Sequence, residues 1–126
     1  MDFVTFEIAK KLKEKGFREE CLCHYIGEDL VYNIESPIAN NQLLFCHNKY
    51  DNIWHRDNVD APTISQVLKW LRNEKNIYCL PFFEQSVDMW FYTICKPALE
   101  FISVSEYDTY EQAAIAGIKY VLDNLI

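Results

Sequence analysis

The sequence predicts an α+β fold: helices at about residues 5–15, 63–75 and 109–124 with an antiparallel sheet, a C-terminal α-β-β-β-α unit preceded by a helix and a β-hairpin. Three observations carry this expectation. Apolar residues recur at helical spacing after Thr5 and after Thr63. Apolar runs with strand-like alternation fill residues 77–104 and are broken by short turn sequences. A second capped amphipathic segment begins at Thr109. At 126 residues the chain is about one domain in length, so residues 1–126 are expected to form a single α+β domain.

The elements follow in order. Thr5 is available as the N-cap of the first helix, whose inner face is Ile8, Ala9 and Leu12. Gly16 stops it, and Phe17 stands where a hydrophobic residue packs back on the last turn. Lys10, Lys11, Lys13 and Lys15 complement the negative end of this helix. Arg18–Ile26 reads as a strand, Gly27-Glu28-Asp29 as a tight turn and Leu30–Ile34 as the returning strand of a hairpin. After Ser36-Pro37, Gln42–His47 is a third short strand candidate, and Asn48–Ala61 is expected to be the longest loop.

Thr63 and Gln66 form a capping-box pattern, after which Ile64, Val67, Leu68 and Leu71 make one apolar stripe bordered by Trp70. Three strands are expected next, Ile77–Glu84, Met89–Lys96 and Leu99–Val104, joined as a meander through Gln85-Ser86-Val87-Asp88 and Pro97-Ala98. Both faces of the middle run are largely apolar, which makes it the central strand. Helices would then cover one face, leaving the other to a partner or to the remaining strands. Thr109 and Gln112 repeat the capping-box pattern, and Ala113, Ala114, Ala116 and Gly117 open the last helix with little bulk, so its backbone can approach a neighbour closely. Glu7–Phe17 and Gln66–Ile77 share a pattern of helix, basic residues and following strand.

Composition excludes several function classes. The net charge of −7 is spread over the chain: residues 1–60 hold 7 basic and 11 acidic side chains, residues 61–126 hold 5 and 8. Nucleic-acid affinity rests on neutralising phosphates with Lys and Arg, so neither half reads as a nucleic-acid module. The longest nearly uninterrupted apolar run, Met89–Cys95, is far short of the ~20 residues a membrane-spanning helix needs. Five cysteines, an odd number, and an N-terminal stretch that mixes Asp2, Glu7 and lysines into its apolar residues point to a reduced, cytoplasmic setting.

Residues Ala61-Pro62-Thr63, Val67-Leu68-Lys69-Trp70-Leu71-Arg72, the Trp90-x-Tyr92-x-Ile94 alternation, Thr109-Tyr110-Glu111-Gln112-Ala113-Ala114 and Gly117-Ile118 together form a pattern. On these residues the chain resembles small uncharacterised α+β proteins encoded by gut bacteria and their prophages. The resemblance covers roughly residues 61–126 well and the first helix less well. It implies no activity and carries no catalytic or binding residue across. Helix, three strands and helix from Thr63 is also the order of double-stranded RNA-binding domains. Such a module needs Lys or Arg at the start of its final helix, whereas this chain has Asp108 and Glu111 there.

Two places remain for chemistry. Cys21, Cys23 and His24 with Cys46, His47 and His55 supply ligand types suited to zinc, and a thiol beside one of these histidines would have nucleophilic potential. The spacing argues otherwise. Cys-x-Cys on a strand turns His24 to the opposite face, and Cys21 and Cys23 read equally as small buried hydrophobes. No catalytic residue, metal or cofactor is therefore assigned. Trp54, His55 and Arg56 form the best local candidate for recognition, an aromatic beside an Arg in a long loop, against the alternative that Trp54 folds back over the core. The expectation is a small protein-binding or regulatory protein, to which the resemblance adds phage or mobile-element derivation, acting through protein contacts with a partner or by self-association. The alternative is a small enzyme or zinc-binding protein using the Cys/His residues between 21 and 55.

Overall fold

Thr5 caps the first helix, α1 (Phe6–Glu14), by accepting a hydrogen bond at Oγ1 from the Ile8 amide (3.3 Å). In this computed structural model residues 2–32 and 58–126 are described. Gly16 takes the left-handed conformation (φ +92°), the Gly16 amide donates to the Lys13 carbonyl (3.2 Å) and the Phe17 amide to the Leu12 carbonyl (3.0 Å). That pair of bonds is the Schellman ending that the glycine and the hydrophobic residue after it predict, and Phe17 is fully buried. The Arg18 guanidinium donates to the carbonyls of Lys13 and Phe17 (3.3 and 3.0 Å), which ties this stretch to the helix end. The strand expected over Arg18–Ile26 is accordingly confined to β1 (Cys23–Ile26).

β1 turns through Gly27-Glu28 into β2 (Asp29–Tyr32), with Asp29 paired to Ile26 rather than part of the turn. Gly27 has φ +60°, which a two-residue hairpin connection requires at its first position. On its other side β1 pairs antiparallel with β3 (Asn58–Ala61), giving the order β2-β1-β3. This corrects the expected loop over Asn48–Ala61: its last four residues are a strand, three of them buried. Asn-Val-Asp-Ala alternates over only four residues and contains two turn formers, and pairing with β1 overrides that weak local preference. The expected strand over Gln42–His47 and the end of the expected strand at Ile34 lie outside the described residues. α1 packs on β3, with Phe6 against the Tyr25 ring (centroids 5.6 Å apart) and the Tyr25 hydroxyl donating to the Val4 carbonyl (2.6 Å). These residues belong to a unit running from Phe3 to Thr63.

A second unit comprises Ile64–Ile126. Helix α2 (Ile64–Lys75) buries Ile64, Val67, Leu68 and Leu71 as the stripe predicts, and Trp70 is buried with them. Asn76 ends the helix in the left-handed region (φ 54°), and the buried Ile77 that follows donates its amide to the Leu71 carbonyl (3.0 Å). β4 (Tyr78–Glu84), β5 (Met89–Lys96) and β6 (Leu99–Ile102) form an antiparallel meander with β5 in the centre. The third strand stops at Ile102 rather than Val104. The Tyr92 amide donates to Ser103 Oγ (3.1 Å), the chain then bends outward with Val104 98% exposed, and Tyr107 returns to pair with Trp90.

Helix α3 (Tyr110–Asn124) is capped by Thr109, whose Oγ1 accepts from the Gln112 amide (3.1 Å). Gln112 Oε1 accepts in return from the Asp108 amide (3.0 Å), one residue before the cap itself. α3 lies along β4 and β5, and α2 touches both β4 and α3. The small residues allow this close approach: a Cβ on Gly117 would sit 2.5 Å from Cys79 Sγ and 3.1 Å from the Tyr92 ring. Among the described residues no helix is long and apolar enough to cross a membrane.

Candidate functional site

Side chains alternate across a strand, and residues directly opposite in the register share a face. In the second sheet one face therefore carries Cys79, Pro81 and Phe83 of β4 beside Ile94, Tyr92 and Trp90 of β5, and Phe101 of β6 beside Ile94. α3 covers this face. Its Tyr120 ring meets Phe101 edge-on (4.9 Å between centroids), its Tyr110 ring meets Trp90 likewise (5.6 Å), and Cys79, Tyr92 and Ile94 are buried beneath it.

The opposite face carries Tyr78, Leu80, Phe82 and Glu84 of β4, Met89, Phe91, Thr93 and Cys95 of β5, and Glu100 and Ile102 of β6. None of these is buried. Tyr78 is 43%, Leu80 45% and Ile102 58% exposed, values that leave about half of each of these side chains in water. The Phe82 and Phe91 rings stack across the strands (5.8 Å, 22° between planes), and with Glu84 and Ile102 they line a shallow depression of about 170 Å³. A contiguous apolar surface of this kind is where a folded protein makes contacts. The sequence shows it in one respect, the two-sided apolar character of β5. Which face α3 would cover depends on the strand register, and that is set by the turns.

The residues singled out for metal or nucleophile chemistry do not assemble among the described part of the chain. Cys23 lies on the buried face of the first sheet with Tyr25, opposite Tyr32 and Ala61, while His24 lies on the other face, directly across from Asp60. Cys21 is buried and its Sγ contacts the Glu19 carbonyl (3.5 Å). Among the described residues no group of three His, Cys, Asp or Glu side chains is placed to hold a metal ion. Cys46, His47, Trp54, His55 and Arg56 lie outside the described residues.

Two of the thiols, Cys23 and Cys79, are also tuned away from reactivity. Burial raises the Cys23 thiol above its ordinary value and pushes Cys79 up to about 12, so both are protonated at neutral pH. Burial also raises the Tyr25 and Tyr92 phenols, with Cys23 adding to the shift at Tyr25 and Tyr107 at Tyr92. These groups behave as core. No family model, curated protein or solved structure matches the chain.

Proposed function

We propose that this is a small protein-binding or regulatory protein that acts through contacts made by the open face of the β4-β5-β6 sheet. The observation that carries this reading is the inequality of the two faces: α3 buries Cys79, Tyr92 and Ile94 on one and leaves only Phe83 and Leu99 of its large apolar side chains exposed, while no residue of the other is buried and Tyr78, Leu80 and Ile102 stand exposed around a stacked aromatic pair. Its support is physical, because apolar side chains left in water on one sheet face gain free energy when a partner covers them. The resemblance carried by the second half of the chain adds phage or mobile-element derivation to the proposal. A partner protein and self-association are both forms of it.

The test is a selection of dodecamer peptides from a random library on the wild-type protein, followed by a screen against the double variant Leu80→Glu/Ile102→Glu. Both positions are exposed, so the variant keeps its fold, which a thermal melt verifies. The proposal expects selected peptides to bind the variant at least about tenfold more weakly, the equivalent of ~1.4 kcal/mol. Peptides that bind both proteins alike, or a selection that yields none from a protein that is also monomeric, would falsify it. Light scattering at high concentration decides the self-association form: a strictly monomeric mass removes it.

A further inference from the structure

Resting on the protein-binding reading, we infer that the open face takes a short segment of another protein that presents one large apolar side chain next to Lys or Arg. The apolar side chain seats in the depression lined by Phe82, Phe91 and Ile102, and the cation pairs with Glu84 at its rim. Size excludes the other occupants. Small-molecule sites are typically roughly 300–1,000 Å³ and enclosed. The depression here is about 170 Å³, and an apolar cavity of about 150 Å³ holds one benzene ring. It therefore fits a single aromatic or branched aliphatic side chain.

Charge selects what flanks that side chain. Glu84 Oε1 accepts from both the amide and the hydroxyl of Ser86 (3.3 and 3.0 Å), which holds the carboxylate in place at the turn end of the sheet. Glu100 stands opposite Cys95 at the other end of the same face. Among the described residues no Lys or Arg of the three strands lies on that face: Lys96 alternates to the side that α3 covers. A second copy would bring two further carboxylates, and a net charge of −7, against the same surface. Area points the same way. Three strands at roughly 4.8 Å spacing and about 20 Å of strand length span a few hundred Å², well under the ~800 Å² per partner of a standard stable interface. A short basic-apolar segment is matched to such a face, and a folded copy of this chain is not.

Three synthetic dodecamers with one central Phe, flanked on both sides by Lys, by Gln or by Glu, provide the test, with binding read by fluorescence anisotropy at low and high salt. The expected order is Lys, then Gln, then Glu, with the Lys peptide ahead of the Gln peptide by roughly fivefold, the upper range for a solvent-exposed ion pair. Glu84→Gln should remove most of that preference without weakening the Gln peptide, and high salt should reduce it. Equal binding of the three peptides, no binding of the Lys peptide, or a Lys preference unchanged in Glu84→Gln overturns the inference. So does a wild-type dimer that Leu80→Glu/Ile102→Glu converts to a monomer, since the occupant is then a second copy. The library selection keeps the two failures apart. Selected peptides that need the open face but show no enrichment in Lys or Arg sink this inference and leave the binding reading standing, whereas peptides indifferent to the face sink both.

Discussion

Each unit opens with one helix followed by three antiparallel strands, the second then adding α3, yet their sheets are threaded differently. In the first the order is β2-β1-β3, with the first strand in the centre, and in the second it is β4-β5-β6, with the middle strand in the centre. Connection length accounts for the difference. Each connection in the second unit is a short turn, Gln85–Asp88 or Pro97-Ala98, so each strand can only fold back on the one before it. In the first unit only β1 and β2 are joined by a tight turn, and residues 33–57 separate β2 from β3, which frees β3 to pair with the open edge of β1. The shared pattern of Glu7–Phe17 and Gln66–Ile77 is thus a common way of leaving a helix, not a common sheet. In both cases a left-handed residue, Gly16 or Asn76, is followed by a buried hydrophobe whose amide donates back into the helix.

The largest expected effect tests whether those two helix exits are equivalent. Phe17→Ala removes a fully buried ring at the end of α1 and should lower unfolding free energy by about 3–5 kcal/mol; Ile77→Ala, at the matching place after α2, should lower it by about 2–5 kcal/mol. Urea denaturation measures both. A loss under about 1 kcal/mol at either position would break the parallel, because that residue would then not be anchoring its helix to the core.

A smaller effect belongs to the second unit and depends on the close approach of α3. Gly→Ala inside a helix normally stabilises by about 1 kcal/mol through propensity. At Gly117 the new methyl would lie 2.5 Å from Cys79 Sγ and 3.1 Å from the Tyr92 ring, both buried. Overpacking of that kind costs typically 1–3 kcal/mol, so a net loss of about 1 kcal/mol is expected. Adding Cys79→Ala should recover part of it, and a double-mutant cycle reads the coupling. A stabilised Gly117→Ala variant would show that the helix can lift off the sheet at no cost.

How much of this was legible follows the same division between local and distant pairing. Thr5, Gly16 and Phe17 mark the first helix to within a residue because caps and helix stops are written in neighbouring residues. The meander was legible because its turns are short. β3 was not, since the alternation in Asn58–Ala61 spans only four residues, includes the turn formers Asn58 and Asp60, and has Val59 as its one β-branched residue; it becomes a strand through β1. The early end of β6 was hidden for a related reason: the Ser103 hydroxyl accepts the Tyr92 amide, a choice that periodicity does not encode. The open face was half legible. β5 reads as apolar on both sides, but only the register shows that Phe82, Phe91 and Ile102 share the side that α3 leaves uncovered. The separation of Cys23 and His24 was legible too, because neighbours on a strand face opposite ways, as their adjacent places on β1 require.

The smallest expected effect sharpens the comparison at single backbone positions. Gly16 (φ +92°) and Asn76 (φ 54°) both sit in the left-handed region, which glycine enters freely and asparagine at a modest penalty. Exchanging the two residue types should give opposite signs: Asn76→Gly raises stability by about 0.5 kcal/mol, and Gly16→Asn lowers it by about the same amount or slightly more. The space around Gly16 is open, since a Cβ there meets nothing within 4 Å, so its penalty is conformational alone. Paired urea titrations under one set of conditions resolve differences of this size. If Asn76→Gly instead destabilised by more than about 1 kcal/mol, the asparagine side chain would be bonding to the helix end, and the two exits would share a backbone shape while relying on different interactions to hold it.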